Sequence, residues 1–160
     1  IEYKTAVLVG AAMKMGAIVA ETSDENADLI YDFGLNLGIA FQLQDDYLDA
    51  FGNPETFGKQ VGGDIIENKK TYLYLKAMEF AKEEDQQQLF HLFSIQPTDN
   101  NDKIESVKAI FNTSGASEAT KKAIQDFTFK AFETLEKMDI ETEKKAILKA
   151  FGENLMGRNV

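Results

Sequence analysis

The sequence has no cysteine, no tryptophan, two prolines and one histidine among its 160 residues. The absence of cysteine fits a reducing compartment, and with a single histidine it disfavours zinc and copper sites. The scarcity of proline and the lack of alternating β-branched runs indicate an all-α protein.

Basic residues are also few, since the net charge is -10 and the isoelectric point is near 4.6. This charge disfavours nucleic acid and anionic membranes as general partners. The first apolar segment, over residues 3–20, is interrupted by Lys14 and is too short for a transmembrane helix. It also lacks the cleavage pattern of a secretory signal. The length and the hydrophobic fraction of 44% predict a single domain over residues 1–160.

Apolar residues recur at helical spacing along most of the chain. The pattern predicts helices over residues 3–20, 24–50, 70–82, 83–93, 102–112, 117–138 and 142–156. Ser23 or Asp24 is expected to cap the second helix, and Asp102 the fifth. A long loop is predicted over residues 52–68, and loops of that length are often functional.

The end of the second predicted helix carries three carboxylates, on Asp45, Asp46 and Asp49. With Gln42 they fall within an arc of roughly 100° on the helix surface. The macrodipole is negative at this end, and the pair at i and i+4 repels by a few tenths of a kcal/mol. A cation bound there would offset both penalties. Taken alone, the three acids would be read as a solvated acidic face.

Carboxylate and amide oxygens are ligands that suit Mg²⁺, Mn²⁺ or Ca²⁺. The acids are too few for a calcium cage, and the calcium-loop pattern is absent. Mg²⁺ commonly takes one or two carboxylates and completes its shell with phosphate. The sequence therefore predicts a magnesium site that is incomplete without a phosphorylated ligand.

Glycines and lysines follow the acidic cluster. The glycines can let the backbone approach a ligand closely. Lysines near an acidic cluster suggest a diphosphate that is bridged to the metal and contacted by ammonium groups on its outer oxygens. Taken alone, these lysines would be ordinary surface charges.

Together these residues resemble the second aspartate-rich region of the trans-prenyl diphosphate synthases. The matching pattern is Phe41-Gln42, Asp45-Asp46-x-x-Asp49, Gly58-Lys59, Asp64 and Lys69-Lys70-Thr71, preceded by Lys4-Thr5. The resemblance implies an antiparallel all-α helical bundle of the isoprenoid (terpenoid) synthase type. This chain would form its C-terminal half.

The resemblance also implies a role for each matching residue. Asp45, Asp46 and Asp49 would bind Mg²⁺, with Mn²⁺ as the alternative metal. Asp64 would orient the lysine loop. Catalytic and substrate-binding roles are implied for Lys4, Thr5, Gln42, Lys59 and Lys69, and a substrate-binding role at the mouth of the pocket for Phe41.

The implied activity is condensation of an allylic diphosphate with isopentenyl diphosphate by a cytoplasmic homodimer. The first aspartate-rich motif of the family and the upstream residues that bind isopentenyl diphosphate are not found in the sequence. We therefore expect residues 1–160 alone to be inactive, and the sequence does not predict product length. Three alternatives stay open: a class I terpene cyclase, a non-catalytic regulatory subunit of a heteromeric prenyl synthase, and an acidic helical interaction module.

Overall fold

The computed structural model describes residues 1–53 and 61–157, which contain helices and turns but no strand. The prediction of an all-α fold is confirmed. The elements are a π-helical segment (Glu2–Ala6), α1 (Val7–Val19), α2 (Asp24–Phe51), α3 (Gly63–Ile66), α4 (Tyr72–Phe80), α5 (Glu83–Leu92), α6 (Asn101–Thr113), α7 (Ala116–Lys137) and α8 (Thr142–Met156).

The observed helix ends agree with the predicted ones to within two residues, apart from the first turns of the first helix, which are π-helical. Ser23 Oγ accepts a hydrogen bond of 3.2 Å from the N–H of Asn26, which confirms the predicted cap of α2. Two predictions are wrong. The predicted loop over 52–68 contains the one-turn helix α3. Asp102 lies inside α6, and Asp99 instead accepts the N–H of Asn101 at 3.0 Å.

The chain divides into two compact units, and the expectation of a single domain stays a prediction. The first unit comprises Ile1–Gln44 and the described residues from Ala123 onward. Its core joins α2, α7 and the turn that follows α7. The buried core residues are Ile30, Phe33, Leu37, Ala131, Leu135 and Met138. Beside this core, the Asn26 side chain donates to the carbonyl oxygen of Asp139 at 3.0 Å and accepts from its N–H at 3.1 Å.

Helices α1 and α2 approach each other through glycines. A Cβ atom on Gly10 would lie 2.9 Å from the carbonyl oxygen of Tyr31, and one on Gly34 would lie 3.0 Å from the Cα of Gly10. The first distance is shorter than real Cβ atoms show, and the second is tighter than most real Cβ contacts, so a side chain at either position would require the backbones to move apart. The two glycines therefore allow the backbones of the helices to pack directly against each other.

The second unit runs from Asp45 to Lys122 and contains the end of α2, helices α3 to α6 and the start of α7. Tyr74 and Phe93 pack with their ring centroids 4.5 Å apart, joining α4 to the end of α5. Other buried apolar side chains of this unit are Leu48, Leu73, Ala77, Leu89, Val107 and Phe111. In the described segments, no helix combines the length and the apolar character needed to cross a bilayer.

Candidate active site

Two of the predicted site residues meet in the first unit. Thr5, on the π-helical segment, donates a hydrogen bond of 3.1 Å from Oγ1 to Oε1 of Gln42 on α2. Both residues are half-buried, and the contact spans 37 residues of sequence. It ties the Lys4-Thr5 segment to the helix that carries the aspartates. Lys4 itself is exposed, and Phe41 is half-buried beside Gln42.

The three aspartates occupy the last turns of α2, as predicted from the sequence. Asp46 is buried, with 9% of its surface exposed, and Asp45 and Asp49 are half-buried. Burial raises the pKa of the Asp49 carboxyl above its ordinary value, although a hydrogen bond from the backbone of Asp64 opposes that shift. The ionised Asp49 carboxylate is therefore costly in the folded protein. A cation nearby would reduce that cost.

The start of helix α3 is hydrogen-bonded to the last turns of α2. The N–H of Gly62 donates to the carbonyl oxygen of Asp49 at 2.6 Å, and the N–H of Asp64 donates to Asp49 Oδ2 at 2.9 Å. Gly62 has a φ of 85°, in the left-handed region that favours glycine. A Cβ on Gly63 would lie 3.1 Å from Asp49 Oδ1. The glycine pair therefore lets the backbone come close enough to hold the carboxylate.

Asp64 also binds Lys69 through its side chain. Lys69 Nζ lies 2.9 Å from Asp64 Oδ1 and 2.8 Å from Glu67 Oε2. The hydrogen bonds to Glu67 and Asp64 raise the pKa of the Lys69 ammonium, which stays charged at neutral pH. Asp49, Asp64 and Lys69 thus form a connected series from the aspartate-bearing helix to a cationic side chain.

Lys59 lies outside the described residues, together with the neighbouring Gly58. Among the residues that are described, no group of three or more acidic, histidine or cysteine side chains is arranged to hold a metal ion unaided. The donor set still fits Mg²⁺, because this ion takes few carboxylates and completes its shell with water and phosphate oxygens. The metal-binding roles of the three aspartates stay a prediction.

Sequence reasoning missed Lys103, which lies next to this series in the second unit. Lys103 is buried in α6 and donates to Asn68, the residue before Lys69. A signal was present, because Lys103 falls four and seven residues before the buried Val107 and Ile110. That spacing places a lysine on the apolar stripe of its helix.

Comparison with known proteins identifies the family. The sequence model of the polyprenyl synthetase family matches residues 1–113. The chain belongs to the polyprenyl synthetase family. The matched segment contains every residue for which the resemblance predicted a role.

Relatives agree with this assignment. The chain is 36% identical over 144 residues to a short chain isoprenyl diphosphate synthase of Methanothermobacter thermautotrophicus, covering 90% of this chain and 43% of the relative. A crystal structure of a geranylgeranyl pyrophosphate synthase is 50% identical, with a TM-score of 0.90, over all of this chain and 50% of the other. A geranylgeranyl pyrophosphate synthetase of Pyrococcus horikoshii is 28% identical, with a TM-score of 0.88 over 99% and 47% of the two chains. This polyprenyl synthetase chain thus spans half or less of the length of these proteins.

Proposed function

We propose that the complete protein containing this chain is a trans-prenyl diphosphate synthase. It condenses an allylic diphosphate with isopentenyl diphosphate to make a longer prenyl diphosphate. One arrangement supports this most directly: Asp49, Asp64 and Lys69 connect the aspartate-bearing helix to a charged lysine over contacts of 2.9 Å each. Family membership supports the same activity.

The reaction begins with cleavage of the C–O bond of the allylic diphosphate, and both electrons leave with pyrophosphate. The π electrons of isopentenyl diphosphate then form a new bond to the allylic carbon. Loss of a proton from the resulting cation restores a double bond, and pyrophosphate takes the proton. The protein contributes mainly by stabilising the charge that develops on the leaving group.

The residues of this chain divide that work. Lys4, Lys59 and Lys69 bind the oxygens of the allylic diphosphate. Thr5 and Gln42 direct oxygen dipoles towards the allylic cation, and Phe41 lies at the mouth of the pocket. The carboxylates that hold magnesium are those of Asp45, Asp46 and Asp49. When bound, Mg²⁺ (or Mn²⁺) neutralises charge on the diphosphate.

The active assembly in this proposal is a cytoplasmic homodimer of the complete protein, and the lack of cysteine fits that compartment. Residues 1–160 alone do not catalyse the reaction, because the sequence contains one aspartate-rich motif of the two expected. Incorporation of radiolabelled isopentenyl diphosphate by residues 1–160 at the rate of the complete protein would contradict this.

Steady-state kinetics of lysine variants in the complete protein test the proposed reaction. The contacts of Lys59 and Lys69 strengthen as charge builds on the departing pyrophosphate, so their loss lowers kcat. Lys59→Ala and Lys69→Ala are each expected to cost on the order of 2 to 4 kcal/mol in the transition state. Replacement by arginine restores activity only in part, because a planar guanidinium does not reproduce a point charge.

The matched control is Lys76→Ala on α4. Lys76 pairs with Glu79 at 2.7 Å, and we give it no role in the reaction. Its variant is expected to keep the parent kcat and KM. Equal behaviour of all three variants, or an increase of KM alone for the first two, would contradict the leaving-group role of the lysines.

A further inference from the structure

Lys103 is a buried lysine that contacts neutral oxygens. Only 2% of its surface is exposed. Its Nζ donates to Oδ1 of Asn68 at 2.6 Å and to the carbonyl oxygen of Ile95 at 3.0 Å. Within residues 1–53 and 61–157, no carboxylate pairs with it. Lysine is rarely buried without an ionic partner, because removing its charge from water is costly.

The two acceptors of Lys103 are also joined to each other. Asn68 Nδ2 donates to the carbonyl oxygen of Ile95 at 3.3 Å, which closes a triangle of three hydrogen bonds. Asn68 has a φ of 56°, a left-handed conformation that is uncommon for non-glycine residues, although asparagine adopts it more readily than most. These hydrogen bonds hold the side chain of Asn68, the residue with the uncommon backbone conformation. Lys103 therefore helps to hold Asn68 in this conformation.

The conformation of Asn68 determines the course of the chain into Lys69. Directly after Asn68, the backbone N–H of Lys69 donates a hydrogen bond of 2.9 Å to the carbonyl oxygen of Asp64. The Lys69 side chain then reaches the carboxylate of the same Asp64. If Asn68 relaxed to a negative φ, the backbone of Lys69 would leave this position and its ammonium would move with it.

We propose that Lys103 is a positioning residue of the synthase: by holding Asn68 in its left-handed conformation, it fixes Lys69 at the diphosphate site. This rests on the function proposed above for Lys69. Lys103 acts through Asn68 and has no contact with substrate in this role. Loss of Lys103 would leave two acceptor oxygens without this donor and lower stability, so the role is tested by the positions of Asn68 and Lys69 and not by stability.

The first test is structural and does not depend on catalysis. The complete protein is crystallised as Lys103→Met, which has a similar length and no donor. Lys108→Met is the matched control, on the same helix and partly exposed. In Lys103→Met we expect Asn68 to lose its positive φ and Lys69 to lose its contact with Asp64. An unchanged Asn68 and Lys69 would overturn the inference. If Lys103→Met does not fold, Lys103→Leu, which also has no donor, takes its place, with the same two outcomes.

The second test is a kinetic double-mutant cycle in the complete protein. Lys103→Met is expected to lower kcat about tenfold, while Lys108→Met stays within about twofold of the parent. In a Lys69→Ala background, adding Lys103→Met should change kcat by less than about twofold, because the residue that it positions is gone. Full additivity of the two losses would overturn the inference.

A backbone variant separates conformation from contact. Asn68→Gly removes the side chain but accepts a positive φ, whereas Asn68→Ala removes both the contact and the preference. We expect the glycine variant to retain more activity than the alanine variant, and the reverse order would count against the inference. If Lys69→Ala leaves kcat unchanged, the proposed function of Lys69 fails, and the crystal structure of the Lys103 variant still decides whether Lys103 positions it.

Discussion

The backbone N–H of Asp64 donates a hydrogen bond of 2.9 Å to Oδ2 of Asp49. Because the donor belongs to the backbone, substitution of the Asp64 side chain by any residue except proline leaves it in place. The side chain of Asp64 separately binds Lys69. The link to the aspartate and the link to the lysine can therefore be broken independently.

Asp64→Ala should release Lys69 while Asp49 stays anchored. Because a hydrogen bond to a charged group is lost, kcat of the complete protein should fall roughly tenfold. Glu67→Gln is the matched control, since Glu67 also contacts Lys69 but has a side chain that is 63% exposed, against 21% for Asp64. Exposed ion pairs contribute little, so this variant should stay within about twofold of the parent. Equal losses would assign the positioning of Lys69 to both acids.

Asp49→Asn should stabilise the fold at neutral pH. Burial raises the folded-state pKa of Asp49 above its value of 3.8 in the unfolded state. Between these two pKa values the folded state binds more protons than the unfolded state, so the free energy of unfolding falls as the pH rises. The amide carries no charge and still accepts the N–H of Asp64. Thermal unfolding should show a higher Tm for the variant at pH 7 and no difference below about pH 3. A lower Tm at pH 7 would refute this, and Asp32→Asn, exposed on the same helix, should change stability by less than about 0.5 kcal/mol.

Binding of Mg²⁺ should be coupled to binding of pyrophosphate, because phosphate oxygens complete the shell of the ion. Calorimetry on the complete protein should give an affinity for Mg²⁺ that is roughly tenfold higher with pyrophosphate than without it. Asp45→Ala should abolish this difference. Glu83→Ala, at the start of α5, should retain it, and a parent affinity that ignores pyrophosphate would contradict the coupling.

The contact between Thr5 and Gln42 should contribute a measurable part of the stability of the first unit. Thr5→Val preserves shape and removes the donor, so it should cost about 0.5 to 1.5 kcal/mol in urea unfolding. Thr5→Ser keeps the hydroxyl and serves as the control. In a double-mutant cycle with Gln42→Ala, a coupling energy below about 0.3 kcal/mol would show that the bond is not formed in solution.

Because of Lys103, the free energy of unfolding should change with pH in the alkaline range. Burial lowers its folded-state pKa below 10.5, so between the two values the unfolded state binds more protons than the folded state. The free energy of unfolding then rises with pH in that interval. Measured by urea unfolding from about pH 8 to about pH 10, the parent should gain stability relative to Lys103→Met. Parallel curves for the two proteins would contradict this assignment.

Periodicity predicted the long helices well, because their apolar faces extend over several turns and end at breakers. The prediction for α2 ended at residue 50, and the helix ends at Phe51, just before Gly52. The prediction for α4 was two residues too long at each end, since the apolar composition continues while the backbone becomes extended at Thr71 and Ala81. Sequence pattern reports where apolar faces lie and is less informative about single backbone turns.

The features that sequence reasoning missed depend on contacts between distant residues. Helix α3 has one turn, which is too short for a periodic signal, and its start is held by the carbonyl oxygen of Asp49. Lys103 depends on Asn68, 35 residues away. Thr5 contacts Gln42, and Asp49 and Lys69 are connected through Asp64, but these partners could only come from the structure.

The glycine pair at the start of α3 restricts how this sequence can vary. Gly62 is left-handed, and a Cβ on it would lie 3.0 Å from the side chain of Ile104, while one on Gly63 would crowd Asp49. Every base change that alters a glycine codon to another amino acid introduces a Cβ atom. In a population under selection for the activity, both positions should therefore be depleted of missense alleles. Two adjacent codons would stand out in a mutational scan although neither encodes a side chain.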